Sequence, residues 1–396
     1  MSEAAVPAAP LVQSVRIYAE VAGSVNTGVA IANPNSQPAV INFYFTNSSG
    51  TDVNAGTMTI PANSQIAAFL NESPFYTAAS FQGSLADMRT ITIQASVRVS
   101  IVALRGLTNE RSEFLLTTLP VTPLNATVAS PLIFPHFADG GGWTTEVILV
   151  NPGDSAMSGT VRFISANGTP TNQSTYSIPP HGAFKLATSG NGTTTNVGSV
   201  RIEPSAGGTP SGLGIFSFRK AGITVSQAGV PALPIGSAFR LYVENGSAQT
   251  GFAIANSSPN AITVTFDLTA LDGSPTGLTG STTIPGNGQV AMFLNEIAGF
   301  GSLPRPFQGI LRIQGTGISV VGLRGRTNQR GDFLITTTSP VDEAAAPSPG
   351  ELFLAHLVAG GGYSTQLILF SGNGASSTGG IQFFDQSGRP LTLSFQ

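Results

Sequence analysis

The chain says most things twice. "TGVAIANP" (27–34) returns as "TGFAIANS" (250–257), and "IPANSQIAAFLNE" (60–72) as "IPGNGQVAMFLNE" (284–296). "FQG" recurs at 81 and 307, and "LRGLTNERSEFLLTT" (104–118) matches "LRGRTNQRGDFLITT" (323–337). A further pair, "HFADGGGWTTEVILVNP" (136–152) and "HLVAGGGYSTQLILFSG" (356–372), keeps the same spacing, so the long period is about 220 residues. A fainter echo lies inside it: "TEVILVNP" (145–152) resembles "TGVAIANP", and "IPPHGAF" (178–184) falls on "IPANSQI" at the same offset. The chain therefore reads as four units in the order A1, B1, A2, B2, all sharing one fold.

Each unit reads as β-structure. Runs such as "VRIYAEV" (15–21), "GVAIA" (28–32), "VINFYF" (40–45), "QIAAFL" (65–70), "ITIQA" (91–95), "VSIVAL" (99–104) and "FLLTTL" (114–119) are short, rich in β-branched and aromatic residues and partly alternating. Turn chemistry separates them, as in "NPNSQP", "NSSG", "IPANSQ" and "LTNERS". No stretch keeps a helical period. Seven strands in about 105 residues fit an immunoglobulin-like β-sandwich, without the disulfide of antibody domains because cysteine is absent.

The expected fold is thus all-β, with tandem immunoglobulin-like β-sandwiches in an extended array. Residues 1–12 are the tail of a preceding module or a linker, 13–121 form A1, 131–235 B1, 238–340 A2, and 351–396 an incomplete B2. Ile31, Phe43, Phe69, Ile101 and Leu104 are expected to face the A1 core, with Ile254, Phe266, Phe293, Val320 and Leu323 in matching places in A2.

Composition narrows the functional classes. Charged residues are 9% of the chain, against roughly 25% in typical globular proteins. Yet 41% is apolar, enough for packed cores. A net charge of −3 with scattered signs does not make the basic face that nucleic acid requires. No apolar run reaches the roughly 18–20 residues of a membrane span. "MSEAAVPAAP" has neither the basic nor the apolar region of a signal peptide.

The motifs favour mechanics over chemistry. Gly140, Gly141 and Gly142 have no P-loop lysine or following helix, so they suit a tight connection into a strand. Trp143 and Tyr363 share one position in the repeat and are either plugs over a sandwich end or, as the alternative, glycan-stacking platforms. His136 and His356 also share a position, but neither has a second ligand at metal spacing. Glu72, Glu296, Glu113 and Asp332 read as turn-end partners, the last two beside Arg111 and Arg330. No catalytic motif is present, and no cofactor or metal is expected. Eight Asn-x-Ser/Thr sequons, at Asn47, Asn71, Asn125, Asn167, Asn172, Asn191, Asn245 and Asn256, are compatible with glycosylated export.

With blocks such as "HFADGGGWTTEVILVNPGDSAMSGTVRF" (136–163) and "GGIQFFDQSGRPL" (379–391), the chain resembles the tandem immunoglobulin-like modules of large bacterial extracellular proteins. The resemblance implies an extracellular or cell-surface structural role, in a filament or similar assembly. An adhesin or carbohydrate-binding array, or a part accessory to a secreted enzyme, is the alternative. B2 matches only the first half of B1, up to about Tyr176, whereas "SEAAVPAAP" (2–10) matches "SQAGVPALP" (226–234) at the close of B1. Left uncovered, B2 would expose Leu367, Leu369, Ile381, Phe383, Leu391 and Phe395. The expected partners are therefore the rest of a longer repeat chain or other copies, joined head to tail or by strand complementation, and surface glycans in the adhesin reading.

Overall fold

The computed structural model describes residues 3–79, 81–124, 131–346, 350–375 and 378–394. The fold is all-β: among the described residues the helices are two single 3₁₀ turns, Leu85–Asp87 and Leu294–Glu296. The A1 region contains β1 (Leu11–Tyr18), β2 (Val21–Ala22), β3 (Val25–Ala32), β4 (Ala39–Asn47), β5 (Asp52–Ile60), β6 (Gln65–Phe69), β7 (Met88–Thr108), β8 (Phe114–Leu119) and β9 (Val121–Pro123). B1 contains β10 (Leu132–Asp139), β11 (Trp143–Val150), β12 (Met157–Ser165), β13 (Pro170–Ile178), β14 (Ala183–Ala187), β15 (Asn196–Ala206), β16 (Ser211–Lys220) and β17 (Ile223–Pro231). A2 contains β18 (Gly236–Asn245), β19 (Ala248–Asn256), β20 (Ile262–Ala270), β21 (Pro275–Ile284), β22 (Gln289–Phe293), β23 (Phe307–Thr327), β24 (Phe333–Thr338) and β25 (Val341–Asp342).

B1 shows the plan most simply. Two four-stranded antiparallel sheets, β10-β15-β12-β13 and β14-β11-β16-β17, lie across one core. Phe134, Val147, Leu149, Val161, Phe163, Tyr176 and Ile202 fill it from both sides. A1 and A2 use the same strand order with one change. Their 21-residue strands β7 and β23 serve both sheets. Thr90–Ser100 of β7 pairs with β1, and Ser100–Leu107 pairs with β3. In B1 the corresponding stretch is broken into β15 and β16 by "GGTP" (207–210), where proline removes a ladder donor and Gly207 and Gly208 take positive φ.

Alternation explains the cores, with one slip. Ile31, Phe43, Ile101, Ile254, Phe266 and Val320 are buried as expected. Phe69, Phe293, Leu104 and Leu323 are not core residues. Leu70 and Leu294, 0% and 1% exposed, point inward instead, and a shift of one residue moves a side chain to the opposite face. Phe69 lies half-buried on the outer face, its ring over Gly28 and edge-on to Phe114 at 6.0 Å. Leu104 and Leu323 also face outward, where they pack in the seams between units.

The units are not strung out. An extended array confines contacts to neighbours in sequence, but here A1 touches A2 and residues 351–394 touch A1. The outward side chains of B1, Ile148, Val150, Leu213 and Ile215, join the A1 core cluster. On the other side Phe216 and Val230 of B1 pack with Ala253 and Val321 of A2. The run "VILV" (147–150) is therefore apolar on both faces because both are covered.

Residues 351–394 carry counterparts of β10 to β13, but among their described residues the pairings are isolated bridges, including Gly360 with Tyr363 and Phe384 with Pro390. For the counterparts of β10 and β11 the reason lies in the strand order. In B1, β10 and β12 both pair with β15, and β11 pairs with β14 and β16. Counterparts of β14, β15 and β16 do not fall among residues 351–394, while those of β12 and β13, which pair with each other in B1, keep the single bridge Phe384–Pro390.

Candidate functional site

Several charged and polar side chains meet at the seams between units. Arg16 on β1 is 1% exposed. Its guanidinium donates to Thr92 Oγ1 at 2.9 Å and, across to B1, to the Asn151 carbonyl at 2.9 Å. Burial holds its pKa below the usual range. Glu20 accepts from Arg105 at 3.1 Å and from Lys185 of B1 at 2.7 Å. Burial raises the Glu20 pKa, but these two cations outweigh it and the carboxyl sits low. His181 of B1 bridges the same seam, with Nδ1 2.9 Å from Asp52 and Nε2 2.7 Å from Asp154.

A1 and A2 meet reciprocally. Arg111 of A1 pairs with Asp332 of A2 at 2.7 Å, and Arg330 of A2 pairs with Glu113 of A1. These four residues occupy two repeated positions, so each position contacts the other across the seam. That is the pattern of a two-fold axis, here within one chain. The sequence suggested pairing inside each turn. Arg111 does approach Glu113 at 2.9 Å, but the partners 221 and 217 residues away had no local signal.

The histidines follow the same symmetry. Gln289 of A2 donates its amide to His136 Nδ1 at 3.0 Å, and Gln65 of A1 donates to His356 Nδ1 at 2.8 Å. The backbone NH groups of these glutamines repeat the match, Gln289 to the Ala166 carbonyl at 3.0 Å and Gln65 to the Gln386 carbonyl at 3.1 Å. Residues 351–394 thus dock on A1 as B1 docks on A2.

Burial, with Phe216 edge-on at 5.4 Å, pushes the His136 pKa from 6.5 down to about 4. The unfolded chain therefore takes up this proton first as the pH falls. The contribution of His136 is complete above 6.5 and is lost as pH falls toward 4. At pH 5 the loss is roughly 2 kcal/mol. Urea unfolding at pH 7 and pH 5 checks this: His136→Gln should reduce the difference between the two curves, and an unchanged difference would contradict it.

An asparagine clamp, absent from the sequence reading, recurs in all three complete sets of sheets. Asn33, Asn151 and Asn256 are 1%, 0% and 0% exposed. Asn256 Nδ2 donates to the carbonyls of Asn260, Ile284 and Pro285 at 2.8, 3.3 and 2.9 Å, while its Oδ1 accepts from Ser258 N at 2.8 Å. Asn33 and Asn151 do the same with their own loops. The signal was present in "IANP", "LVNP" and "IANS", where asparagine ends a strand and can close an Asx turn. Since Asn256 is enclosed, and Asn245 is 7% exposed with its amide on Pro304 O at 2.9 Å, these two sequons are not accessible acceptors in the folded chain.

The other expected residues sort as follows. Residues 140–142 all have positive φ, 85°, 62° and 93°, and lead into β11. Trp143 is half-buried and stacked on Phe218 at 4.6 Å, whereas Tyr363 is 55% exposed. Glu72 and Glu296 accept from the backbone NH of Phe69 and Phe293 at 2.9 and 2.7 Å. Leu369, Ile381 and Leu391 are 62%, 55% and 40% exposed, while Leu367 and Phe383 are half-buried. Phe395 and Asn125 lie outside the described residues.

No known family and no curated protein matches the chain. Among solved structures it is similar to the apo structure of Bacteroides uniformis beta-glucuronidase 3, at 11% identity and a TM-score of 0.12. That similarity covers 57% of this chain and 28% of that one, and it carries no argument.

Proposed function

We propose that this chain is a non-catalytic structural component of an extracellular or cell-surface assembly, built from immunoglobulin-like β-sandwich units. One observation carries the reading: several of the few charged residues reach from one unit to another, beside pairs such as Arg162–Glu203 and Arg312–Glu343 that stay within a unit. Arg16, Lys185, Arg111, Arg330 and Arg201 each reach a carboxylate or carbonyl of a different unit. Charges that join units serve architecture, and a 9% charge content leaves few for other work. In this reading further strands, from the same chain or from other copies, cover Leu369, Ile381 and Leu391. Electron microscopy of the native material should show ordered fibres or sheets. Isolated particles with no lattice or filament would contradict the proposal.

Tyr363 supports a second reading, that of a carbohydrate-binding surface, because it stands 55% exposed where its counterpart Trp143 is stacked. That reading requires glycan-array binding that is lost in Tyr363→Ala.

A further inference from the structure

The segment before β1 matches the last strand of B1 in contacts as well as in sequence. Residues 2–10, "SEAAVPAAP", parallel 226–234, "SQAGVPALP". Leu233 N donates to the Ile133 carbonyl at 3.2 Å, joining β17's end to β10. Ala9 N donates in the same way to the Phe353 carbonyl at 2.9 Å. Both pairs are isolated antiparallel bridges. Thr337 Oγ1 of A2 donates to Gly229 O at 2.9 Å, and Thr118 Oγ1 of A1 donates to Ala5 O at 3.0 Å. Arg105 donates to Gln227 at 2.7 Å, and its counterpart Arg324 pairs with Glu3. Val230 packs with Ala253 and Val321 of A2, while Val6 packs with Ala30 and Val102 of A1, beside Ala355.

Ala5 N also donates to Thr336 Oγ1 of A2 at 3.1 Å. We infer that residues 3–10 are the closing strand of the unit that begins at residue 351, seated in an acceptor groove formed by Phe353, Thr118, Thr336 and Arg324. The occupant is this chain's own N-terminal segment. The groove fits an extended peptide of small apolar residues led by an acid. Strand addition supplies main-chain hydrogen bonds, and the pockets beside it read alternate side chains. Pro7 and Pro10 stand where Pro231 and Pro234 stand, and proline, lacking an NH, is kept to such strand ends and edges. The consequence is closure. Residues 3–10 and Phe353 then meet against A1 and A2 as Leu233 and Ile133 meet in B1, so that A1, B1, A2 and residues 351–394 close on one another.

The chain has no cysteine, so an engineered pair competes with no native thiol. Residues paired across antiparallel strands lie about 4.5–5.5 Å apart at Cα, inside the range a disulfide spans. Ala9→Cys with Phe353→Cys should lose both thiols on mild oxidation. It should keep the mass of a single chain in non-reducing denaturing electrophoresis. Disulfide-linked dimers and ladders would overturn the inference by showing that the strand comes from another copy. Two thiols that persist after oxidation would overturn it by showing an empty groove. A second variant, Val6→Asp, should make residues 351–394 several-fold more susceptible to limited proteolysis, and cleavage at the wild-type rate would also overturn it.

Discussion

Leu70→Ala is expected to destabilise the A1 sandwich by roughly 2–5 kcal/mol, with Leu294→Ala doing the same in A2. Both side chains are enclosed, at 0% and 1% exposure, in clusters drawn from two facing sheets, so truncation leaves a cavity that β-sheets cannot collapse to fill. Phe69→Ala, one residue earlier, should cost only about 1 kcal/mol, because its half-buried ring gives up one edge contact with Phe114 and cover over Gly28. Chemical unfolding of the three variants tests the face assignment. Equal losses at positions 69 and 70 would contradict it.

Asn256→Ala should cost about 3 kcal/mol. The alanine removes the donor to the buried Ile284 carbonyl and to two further loop carbonyls, together with the acceptor that turns the chain at Ser258. A buried polar group left without its partner costs about 1–3 kcal/mol, and here several lose theirs together. Asn256→Asp keeps the acceptor for Ser258 but faces three carbonyls with a carboxylate, so it should be no better than alanine. Thermal unfolding checks both variants, and a loss below 1 kcal/mol for Asn256→Ala would show that the loop holds itself.

Local periodicity made the strands legible. "VINFYF" and "ITIQA" alternate in part: Ile41, Phe43 and Phe45, and Ile91, Ile93 and Ala95, are buried, while Val40 is exposed and Thr92 is buried as well. "AAFLNE" misled because Phe69 and Leu70 are adjacent and both apolar, so hydrophobicity alone cannot say which one faces in. The outward residues Leu104 and Leu323 misled for a different reason. They are apolar because another unit covers them, and the single-unit pattern cannot distinguish that cover from a core. The cross-unit pairs were half visible. "RSE" (111–113) and "RGD" (330–332) recur at one position, but only the approach of the two copies makes Arg111 the partner of Asp332. The glycine turn at 140–142 was readable because nothing but glycine takes three positive φ values in succession at low cost.

These units pack against one another around a two-fold-like seam rather than standing in line. Small-angle X-ray scattering of the monomeric fraction tests it directly. Close packing of a chain this long predicts a radius of gyration of about 21 Å, whereas four such units in a line would give roughly 40 Å. A value near the first supports the account, and a value near the second would contradict it.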